Sequence, residues 1–219
     1  MLNKKDFVEI EFTGRVKDGE IFDSNIKEDL EKLHIGHSHE IEAKPITVCL
    51  GEGMFLKAVD EFLIGKELGN YNIELSPEKA FGARLPQLVQ KVPMKLFSSQ
   101  KLNPYPGDVF NFDGRVARVL SVSGGRVMVD FNNPLSGKNV SYEIHALRKI
   151  EDLDEKIRSV VEFLFRKELG FSVQENKVVI QIEKQISKFA EMFKERFKAI
   201  LGMEMEIKEI EATKESKSQ

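Results

Sequence analysis

Aromatic side chains, and one carboxylate placed among them, are the residues of this sequence best suited to forming a reactive pocket. The aromatic residues lie on predicted elements that are well separated along the chain: Phe12, Phe22, Phe55, Phe62 and Phe81. Taken singly, each is most simply a core residue. Asp23 differs, because it directly follows Phe22 on a strand that should be half buried. A carboxylate beside an apolar concavity is costly unless it is hydrogen-bonded or functional, so Asp23 is a candidate functional residue.

Three histidines offer a different chemistry. They lie within the segment HIGHSHE, where Glu40 or Glu42 could join them around a metal ion: His34, His37 and His39. The segment contains no cysteine, and no fixed partners for the imidazole rings are evident. A solvated loop is therefore favoured, and neither a metal nor a cofactor is expected.

Motifs of several other enzyme classes are missing from the sequence. It contains no GxxxxGK(S/T), HExxH, CxxC or GxSxG segment, which are the patterns of phosphate-binding loops, zinc proteases, dithiol sites and serine hydrolases. The single cysteine, Cys49, lies in the apolar run ITVCL. We expect it to be a buried structural thiol, since one cysteine cannot form an internal disulfide.

Composition and charge narrow the class of protein further. The 219 residues are 41% hydrophobic and 32% charged, which is typical of a folded protein with room for more than one core. A net charge of -3 gives no general attraction to phosphate backbones, so no nucleic-acid partner is expected. The N-terminus lacks the apolar core of a signal peptide, and no segment has the roughly 18 apolar residues of a membrane span. We therefore expect a soluble cytoplasmic protein without a membrane partner.

Hydrophobic periodicity predicts strands around one helix in the N-terminal part. The alternation over Phe7–Val16 predicts a half-buried strand. Asn25, with Glu28 three residues on, resembles a capping box at the start of a short charged helix. After the strand ITVCL, apolar residues at helical spacing run up to Gly65, which should end that helix as a left-handed cap. A strand over Tyr71–Leu75 follows, and the layout is α+β.

The character of the sequence changes twice after residue 85. Four of the seven prolines fall within residues 86–106, and the alternating runs VFNF, RVARVLSV and RVMVDF follow, which together predict a small all-β unit. Beyond residue 150 the pattern predicts a helix over about Leu153–Leu169, the strand pair FSVQ and KVVIQIE, a helix over 186–201 and a last strand, MEMEIKEI. These C-terminal elements are predicted to form a separate α/β unit before a polar tail.

Four segments, in this order, resemble the characteristic segments of FKBP-type peptidyl-prolyl cis/trans isomerases: DGEIFDSN (18–25), ITVCLGEGMFLKAVDEFLIGKELG (46–69), LSPEKAFGAR (75–84) and SYEIHALRKI (141–150). The segment VDFNNPLSGKNV (129–140) resembles the VDxNHPLAGxxL segment of the SlyD-like branch, whose members carry an insert-in-flap chaperone domain. The C-terminal residues are similar to the tail domain of long archaeal members, which is associated with homodimerisation.

The resemblance implies an α+β fold in which an antiparallel half-barrel sheet wraps around one helix. In these terms residues 1–85 and 139–150 form the FKBP-type isomerase domain, and residues 86–138 form an inserted small all-β chaperone domain. Residues 151–212 form a C-terminal α/β domain, and residues 213–219 form a disordered tail.

The resemblance also implies a proline-binding pocket and a client-binding surface. The catalytic residues of the pocket would be Asp23, Phe12, Phe81 and Tyr142. Its remaining substrate-binding residues would be Phe22, Ile46, Phe55, Leu56 and Val59. In the insert, client contacts are assigned to Leu88, Val92, Met94, Phe97 and Met128.

Four positions depart from the residues that are usual in the family. Tyrosine is usual where this chain has Phe12 and again where it has Phe81, so a hydroxyl partner for Asp23 and a donor to the substrate carbonyl are missing. Tryptophan or a smaller apolar residue is usual at Val59, and histidine is usual where Asn133 stands. We therefore expect isomerase activity that is present but reduced.

Two functions of different classes follow from the sequence. The first is a peptidyl-prolyl cis/trans isomerase and folding chaperone that acts on X-Pro bonds of unfolded or partly folded polypeptides, which are its expected partners. The alternative is a holding chaperone with a vestigial isomerase pocket, favoured by the two Tyr-to-Phe changes and by the apolar content of the insert. A third, metal trafficking through the histidine loop, lacks the His-rich tail seen in some SlyD-like proteins. A homodimer through the C-terminal domain and a simple appended domain both remain open.

Overall fold

A computed structural model of the 219-residue chain describes residues 1–17, 19–33 and 43–211. The three candidate metal ligands lie outside the described residues, as does the predicted disordered tail, residues 213–219: His34, His37 and His39. The chain divides into two compact units. The first comprises Met1–Arg15, Ile21–Ile73 and Tyr142–Gln219, and the second comprises Val16–Glu20 and Glu74–Ser141.

Short strands and helices follow one another along the chain. The strands are β1 (Phe7–Val16), β2 (Ile21–Ser24), β3 (Ile46–Cys49), β4 (Gly69–Leu75), β5 (Val89–Pro93), β6 (Val109–Phe112), β7 (Arg115–Ser123), β8 (Arg126–Asp130), β9 (Val140–Ile150), β10 (Phe171–Gln174), β11 (Lys177–Glu183) and β12 (Glu204–Ile210). The α-helices are α1 (Lys27–Leu30), α2 (Lys57–Leu63), α3 (Met94–Ser99), α4 (Leu153–Phe165), α5 (Ser187–Ala190) and α6 (Lys194–Leu201). Single 3₁₀ turns lie at Pro77–Lys79, Pro86–Leu88 and Glu191–Phe193.

The first unit is built on a five-stranded sheet in the order β2–β1–β9–β4, with β3 also paired to β1. Both β2 and β3 run antiparallel to β1, along residues 13–15 and 7–10 of that strand. Alternation buries Val8, Ile10 and Phe12 on one face of β1, so the predicted strand is confirmed. The helix α2 buries Val59 and Leu63, and Gly65 follows it with a φ of +84°, which confirms the left-handed ending.

The C-terminal elements belong to the same compact unit as this sheet. They comprise α4, α5, α6 and a second sheet, in which β11 is antiparallel to β10 and parallel to β12. Their buried side chains share one core with Phe7, Cys49 and Ile150: Ile157, Val160, Val161, Val178, Ile180, Ile182, Ala190, Phe197, Ile200, Met203 and Met205. Phe7 alternates with Val8 and therefore needs an apolar cover of its own. The structure thus groups residues that the sequence predicted as a separate domain with the N-terminal sheet.

The single thiol lies in that shared core. Cys49 is fully buried and free, and burial raises its pKa to about 12. A thiol that stays protonated at neutral pH is a poor nucleophile, and the expectation of a buried structural thiol is confirmed.

The second unit contains a four-stranded antiparallel sheet in the order β5–β8–β7–β6. Its own core consists of Phe97, Ala117, Val119, Val127 and Val129. The ring of Phe97, from α3, packs edge-to-face against Phe110 and Phe112, with centroid distances of 5.3 and 5.7 Å. The three predicted β runs are confirmed as β6, β7 and β8. The strand β5 and the helix α3 were not predicted, because both are short and lie in the part of the sequence that contains Pro86, Pro93 and Pro104.

Two predicted helices of the C-terminal part differ from those observed. The helix α4 ends at Phe165 instead of Leu169, because Arg166 adopts a left-handed conformation with φ of 54° and its N–H bonds to the carbonyl of Glu162. The helix predicted over 186–201 is divided into α5, a 3₁₀ turn and α6. Phe189 is 56% exposed while Phe197 is fully buried, so these two rings do not share one buried helix face.

Candidate active site

Four aromatic rings converge in the first unit, three from strands β1, β2 and β9 and one from the turn before α2. The ring of Tyr142 stands edge-to-face to Phe22 and Phe55, at centroid distances of 5.7 and 5.6 Å. The ring of Phe12 lies 4.7 Å from Phe55 and 6.2 Å from Tyr142. Phe12 and Tyr142 are buried, whereas Phe22 and Phe55 are only half buried. These four rings, here called the ring cluster, therefore combine a dry base with an open rim that can receive an apolar group.

A buried polar network holds β2, which carries Phe22, against β1. The hydroxyl of Thr13 donates to Oδ2 of Asp29 at 2.7 Å and lies 3.0 Å from the hydroxyl of Ser24. Hydrogen bonds from Lys32 and Thr13 lower the pKa of Asp29, which stays ionised at neutral pH. This network was not predicted, although a threonine within the apolar alternation of β1 was a visible sign of it.

Asn25 has a different role from the predicted one. Its Oδ1 accepts the backbone N–H of Phe12 at 2.7 Å, and its amide donates to the carbonyls of Ile10 and Lys44. The N-cap of α1 is Ile26, which makes no side-chain capping bond, and the capping-box prediction is therefore wrong. Asn25 fixes the backbone of β1 at the position from which the ring of Phe12 enters the cluster.

Gly14 allows β1 to pass close to two rings of the cluster. A Cβ atom at this position would lie 2.8 Å from Cζ of Phe22 and 3.0 Å from Cε1 of Tyr142. Neither distance is compatible with normal van der Waals contact, so a side chain here would displace both rings. The spacing of the ring cluster thus depends on a glycine.

Asp23 lies beside the ring cluster, at the exposed edge of β2. Although the residue is exposed, desolvation by the surrounding protein raises the pKa of its carboxyl group against a hydrogen bond from the backbone N–H of Ser24. Burial raises the pKa of the Tyr142 phenol, and the negative charge of Asp23 raises it further. The carboxylate is therefore within electrostatic reach of the Tyr142 ring, and its place at the edge of a substrate pocket stays a prediction.

The remaining predicted pocket residues lie in different parts of the structure. Val59 is buried in α2 and Leu56 is the half-buried N-cap of that helix. Ile46, on β3, lines a different cavity of about 400 Å³, which faces α4 and to which none of the four rings contributes. Phe81 belongs to the second unit, where its carbonyl accepts a hydrogen bond of 3.0 Å from Ser136. Its part in substrate binding stays a prediction.

The turn between β3 and α2 is held from inside by a buried carboxylate. Oδ2 of Asp60 accepts the backbone N–H groups of Gly51 and Gly53 at 3.2 and 3.1 Å, and both glycines have positive φ. Asp60 is 1% exposed, and its Oδ1 has no hydrogen-bond partner among the described residues. Burial raises the pKa of Asp60 against the two hydrogen bonds. Asp60 is thus the residue that shapes the turn leading to Phe55.

Substitution of Asp60 by alanine is expected to lower the free energy of unfolding by about 2–4 kcal/mol, because two buried N–H groups lose their acceptor. Asp60→Asn keeps an oxygen acceptor and removes a buried charge, and we expect it to stay within about 1 kcal/mol of the parent at pH 7. Because the folded-state pKa is raised, the ionised group destabilises the fold above that pKa. As the pH falls, the free energy of unfolding of Asp60→Asn should therefore decrease relative to that of the parent, which urea unfolding at several pH values measures. Equal losses for both variants would contradict this role.

In the second unit, one of the five predicted client contacts is buried and the other four are half buried. Phe97 is only 3% exposed, and Val92 and Met94 pack against the same core. The expectation that Phe97 contributes to an exposed apolar surface is wrong, because it is the central core residue of the unit. Leu88 and Met128 are half buried.

Other apolar side chains of the second unit are exposed: Leu85, Leu96, Leu102, Tyr105, Val109, Val116 and Leu120. Val109, Val116 and Leu120 line a groove of about 770 Å³ together with Phe131 and Leu135, and Arg84, Arg118 and Asp130 stand among them. On β7 the apolar residues occur on both faces, with Ala117 and Val119 inside and Val116 and Leu120 outside. This doubled pattern in RVARVL was the sequence sign of an exposed apolar face.

Comparison with known proteins decides the family. The family model described as FKBP-type peptidyl-prolyl cis-trans isomerase matches residues 1–96, and a second model, described as FKBP26, IF domain, matches residues 90–135. The chain is 30% identical over 145 residues to the short-type peptidyl-prolyl cis-trans isomerase of Methanocaldococcus jannaschii, covering 66% of this chain and 91% of that protein. The chain belongs to the FKBP-type peptidyl-prolyl cis-trans isomerases.

Two bacterial FKBP-type isomerases are similar to smaller parts of the chain. The SlyD isomerase of Aeromonas hydrophila is 30% identical over 143 residues, which is 63% of this chain and 59% of that protein. The 16 kDa isomerase of Escherichia coli is 29% identical over 110 residues, which is 48% of this chain and 73% of that protein. Membership of the FKBP-type isomerases makes peptidyl-prolyl cis-trans isomerisation the enzymatic activity of the chain.

The described residues of this FKBP-type isomerase were compared with the requirements of a membrane span and of a metal site. Among them, no helix combines the length and the apolar character that crossing a membrane requires. In the same part of the chain, no three side chains of His, Cys, Asp or Glu are grouped as a metal site would need.

Proposed function

We propose that the ring cluster, with Asp23 at its edge, is the place where the isomerase rotates the X-Pro bond of a bound polypeptide. The observation that carries the proposal is the convergence of Phe12, Phe22, Phe55 and Tyr142, whose adjacent centroids lie 4.7 to 6.2 Å apart. A proline ring has the size and the apolar character to rest on such a surface. The half-buried rings of Phe22 and Phe55 leave the rim open to the flanking chain.

The reaction is a rotation and breaks no covalent bond. Amide resonance opposes it with a barrier of about 18–20 kcal/mol, which makes uncatalysed exchange slow. At the twisted transition state the amide has lost charge separation, so an apolar surface that excludes water suits that state better than water does. Backbone N–H groups at the start of α2, around Leu56, are the proposed donors to a substrate carbonyl. Asp23 orients the peptide beside them.

The activity should be lower than in relatives that have both tyrosines, because Phe12 and Phe81 carry no hydroxyl group. We expect the full-length chain at micromolar concentration to accelerate cis/trans exchange of an Ala-Pro peptide measured by NMR. Phe55→Ala should lower kcat/KM for that peptide by about tenfold, since it removes the ring shared by Phe12 and Tyr142. Absence of any acceleration by the parent chain would leave the holding chaperone as the better hypothesis.

For the second unit we propose the role of an insert-in-flap chaperone domain, within the predicted boundaries 86–138. Its match to the IF-domain model and its separate core support this role. The client surface is the exposed groove on its outer sheet face, formed around Val109, Val116 and Leu120, in place of the buried Phe97. An apolar groove bordered by charged side chains of both signs suits extended, unfolded polypeptides of varied sequence.

For the C-terminal residues we propose a homodimer contact. Phe189 and Met192 are 56 and 74% exposed, and the ring of Phe189 packs edge-to-face on Phe193. Phe163 and Phe165, on α4, pack against the core of the first unit and are not offered for this contact. Sedimentation equilibrium measures the proposed association directly.

A further inference from the structure

The turn that carries Phe55 is also held from outside, by residues far away in the sequence. The guanidinium group of Arg196, on α6, donates to the backbone carbonyl of Glu52 and lies 3.5 Å from its Oε2. Lys5 forms an ion pair of 2.8 Å with Oε1 of Glu52 and also donates to the carbonyl of Ala199 on α6. The side chain of Glu52 is only 10% exposed, so these charge pairs are partly shielded from water.

The turn is therefore fixed between two sets of contacts. On its inner side, Asp60 binds the N–H groups of Gly51 and Gly53. On its outer side, a Cβ added to Gly53 would lie 3.8 Å from the guanidinium of Arg196, which shows how closely α6 covers the turn. The next residues are Met54, which packs on the C-terminal core, and Phe55, which contacts Phe12 and Tyr142. A shift of the turn would thus move one wall of the ring cluster.

We propose that Arg196 is a positioning residue of the isomerase, which acts from the C-terminal part of the chain through Glu52 to set the place of Phe55 in the ring cluster. The inference rests on the proposed function of that cluster. It assigns the C-terminal residues a part in catalysis in addition to any role in association. A chain with α6 removed or displaced would keep its rings but lose the support of the wall formed by Phe55.

The test compares Arg196→Gln with Lys194→Gln in the full-length chain. Lys194 lies on the same helix and pairs with Glu191, and among the described residues it has no hydrogen bond or ion pair with the turn, so it is the matched control. We expect Arg196→Gln to lower kcat/KM for a prolyl tetrapeptide by about three- to tenfold, mainly through KM, because a displaced Phe55 ring weakens binding of the ground state and the transition state alike. Lys194→Gln should leave kcat/KM within about twofold of the parent.

Two further measurements separate positioning from general loss of structure. Arg196→Lys keeps the charge and should recover part of the lost kcat/KM, and the amide resonances of Phe55 and Leu56 should shift in Arg196→Gln but not in Lys194→Gln. If Arg196→Gln does not fold, Glu52→Gln tests the same contact from its other partner and should lower kcat/KM in the same way. Parent-like kcat/KM in Arg196→Gln, or in Glu52→Gln, overturns the inference.

Phe55→Ala distinguishes failure of this inference from failure of the proposed function. If Phe55→Ala loses activity while Arg196→Gln retains it, the ring cluster stands and the positioning role falls. If Phe55→Ala retains full activity, the ring cluster is not the catalytic pocket, and both proposals are overturned.

Discussion

Replacement of Asp23 by alanine is expected to lower kcat/KM for a prolyl tetrapeptide by between about ten- and a hundredfold, the range for loss of a group that orients the substrate. The carboxylate lies at the edge of the ring cluster, where its charge contributes to the raised pKa of Tyr142. Asp23→Asn keeps the shape of the side chain and removes its charge, so it separates the contribution of the charge to kcat/KM from that of the shape. Asp154→Asn, on an exposed turn of α4, is the matched control and should keep full activity.

Removal of the Asp23 charge should lower activity without lowering stability. Desolvation raises the folded-state pKa of Asp23 above its value in the unfolded chain, so ionised Asp23 destabilises the fold above that pKa. This penalty disappears as the pH falls through the folded-state pKa. At pH 7, Asp23→Asn should therefore unfold at an equal or higher urea concentration than the parent, and the difference should vanish in acid. Parallel losses of activity and stability would instead make Asp23 a structural residue.

As the pH is lowered, the parent enzyme should lose activity at a higher pH than it would if Asp23 had the pKa of an ordinary aspartate. The cause is the same raised pKa of Asp23, which brings protonation of the proposed orienting group closer to neutrality. The pH profile of kcat/KM on the tetrapeptide measures this, and Asp23→Asn should flatten its acid limb.

Removal of the insert should separate action on peptides from action on proteins. Leu85 and Asn132 are suitable boundaries for a deletion, because they are hydrogen-bonded to each other. The side chain of Asn132 accepts the backbone N–H of Leu85 at 2.8 Å and donates to the carbonyl of Leu85 at 3.0 Å. Deleting residues 86–131 and joining these two through glycines keeps that closure. We expect acceleration of proline-limited refolding to fall by about a hundredfold, because a client held on the insert no longer raises the local concentration of its X-Pro bonds.

The same variant should act on a prolyl tetrapeptide within about threefold of the parent, because a short peptide gains nothing from a second binding surface. A milder variant controls for damage at the junction: Val116→Ser with Leu120→Ser alters the exposed groove and spares the inward-facing Ala117 and Val119. It should impair refolding and leave the tetrapeptide rate unchanged. Equal loss on both substrates would show that the insert supports the pocket itself.

Local pattern predicted the parts of the fold in which neighbours in sequence decide the structure. The strand over Phe7–Val16, the helix ending before Gly65 and the strands β6, β7 and β8 were all recognisable from alternation, helical spacing and the position of Gly65. Where tertiary contacts compete with local preference, the prediction was wrong. Asn25 binds the backbone of β1 instead of capping a helix, and Arg166 ends α4 before the predicted end at Leu169.

The residues of the candidate site could be proposed from resemblance to a family. The properties of the single residues would not have indicated them. Phe12, Phe22, Phe55 and Tyr142 are ordinary apolar positions until β1, β2 and β9 bring them together. The contact of Arg196 with Glu52 spans 144 residues and has no local pattern at all. Apolar content alone does not assign a strand face, so the exposed groove of the second unit was not predicted, although the apolar residues on both faces of β7 are a local sign of it.

The strand order of the first sheet has a consequence for synthesis of the chain on the ribosome. The strand β9 lies between β1 and β4, and β1 can pair with it only after residues 140–150 have been made. The strands of the second unit, by contrast, pair within residues 89–130 and need no later part of the chain. Pairings between near neighbours form faster than those between distant ones. During translation the second unit should therefore fold before β1 has paired with β9, so the groove proposed as a client surface forms earlier than the sheet that carries the ring cluster.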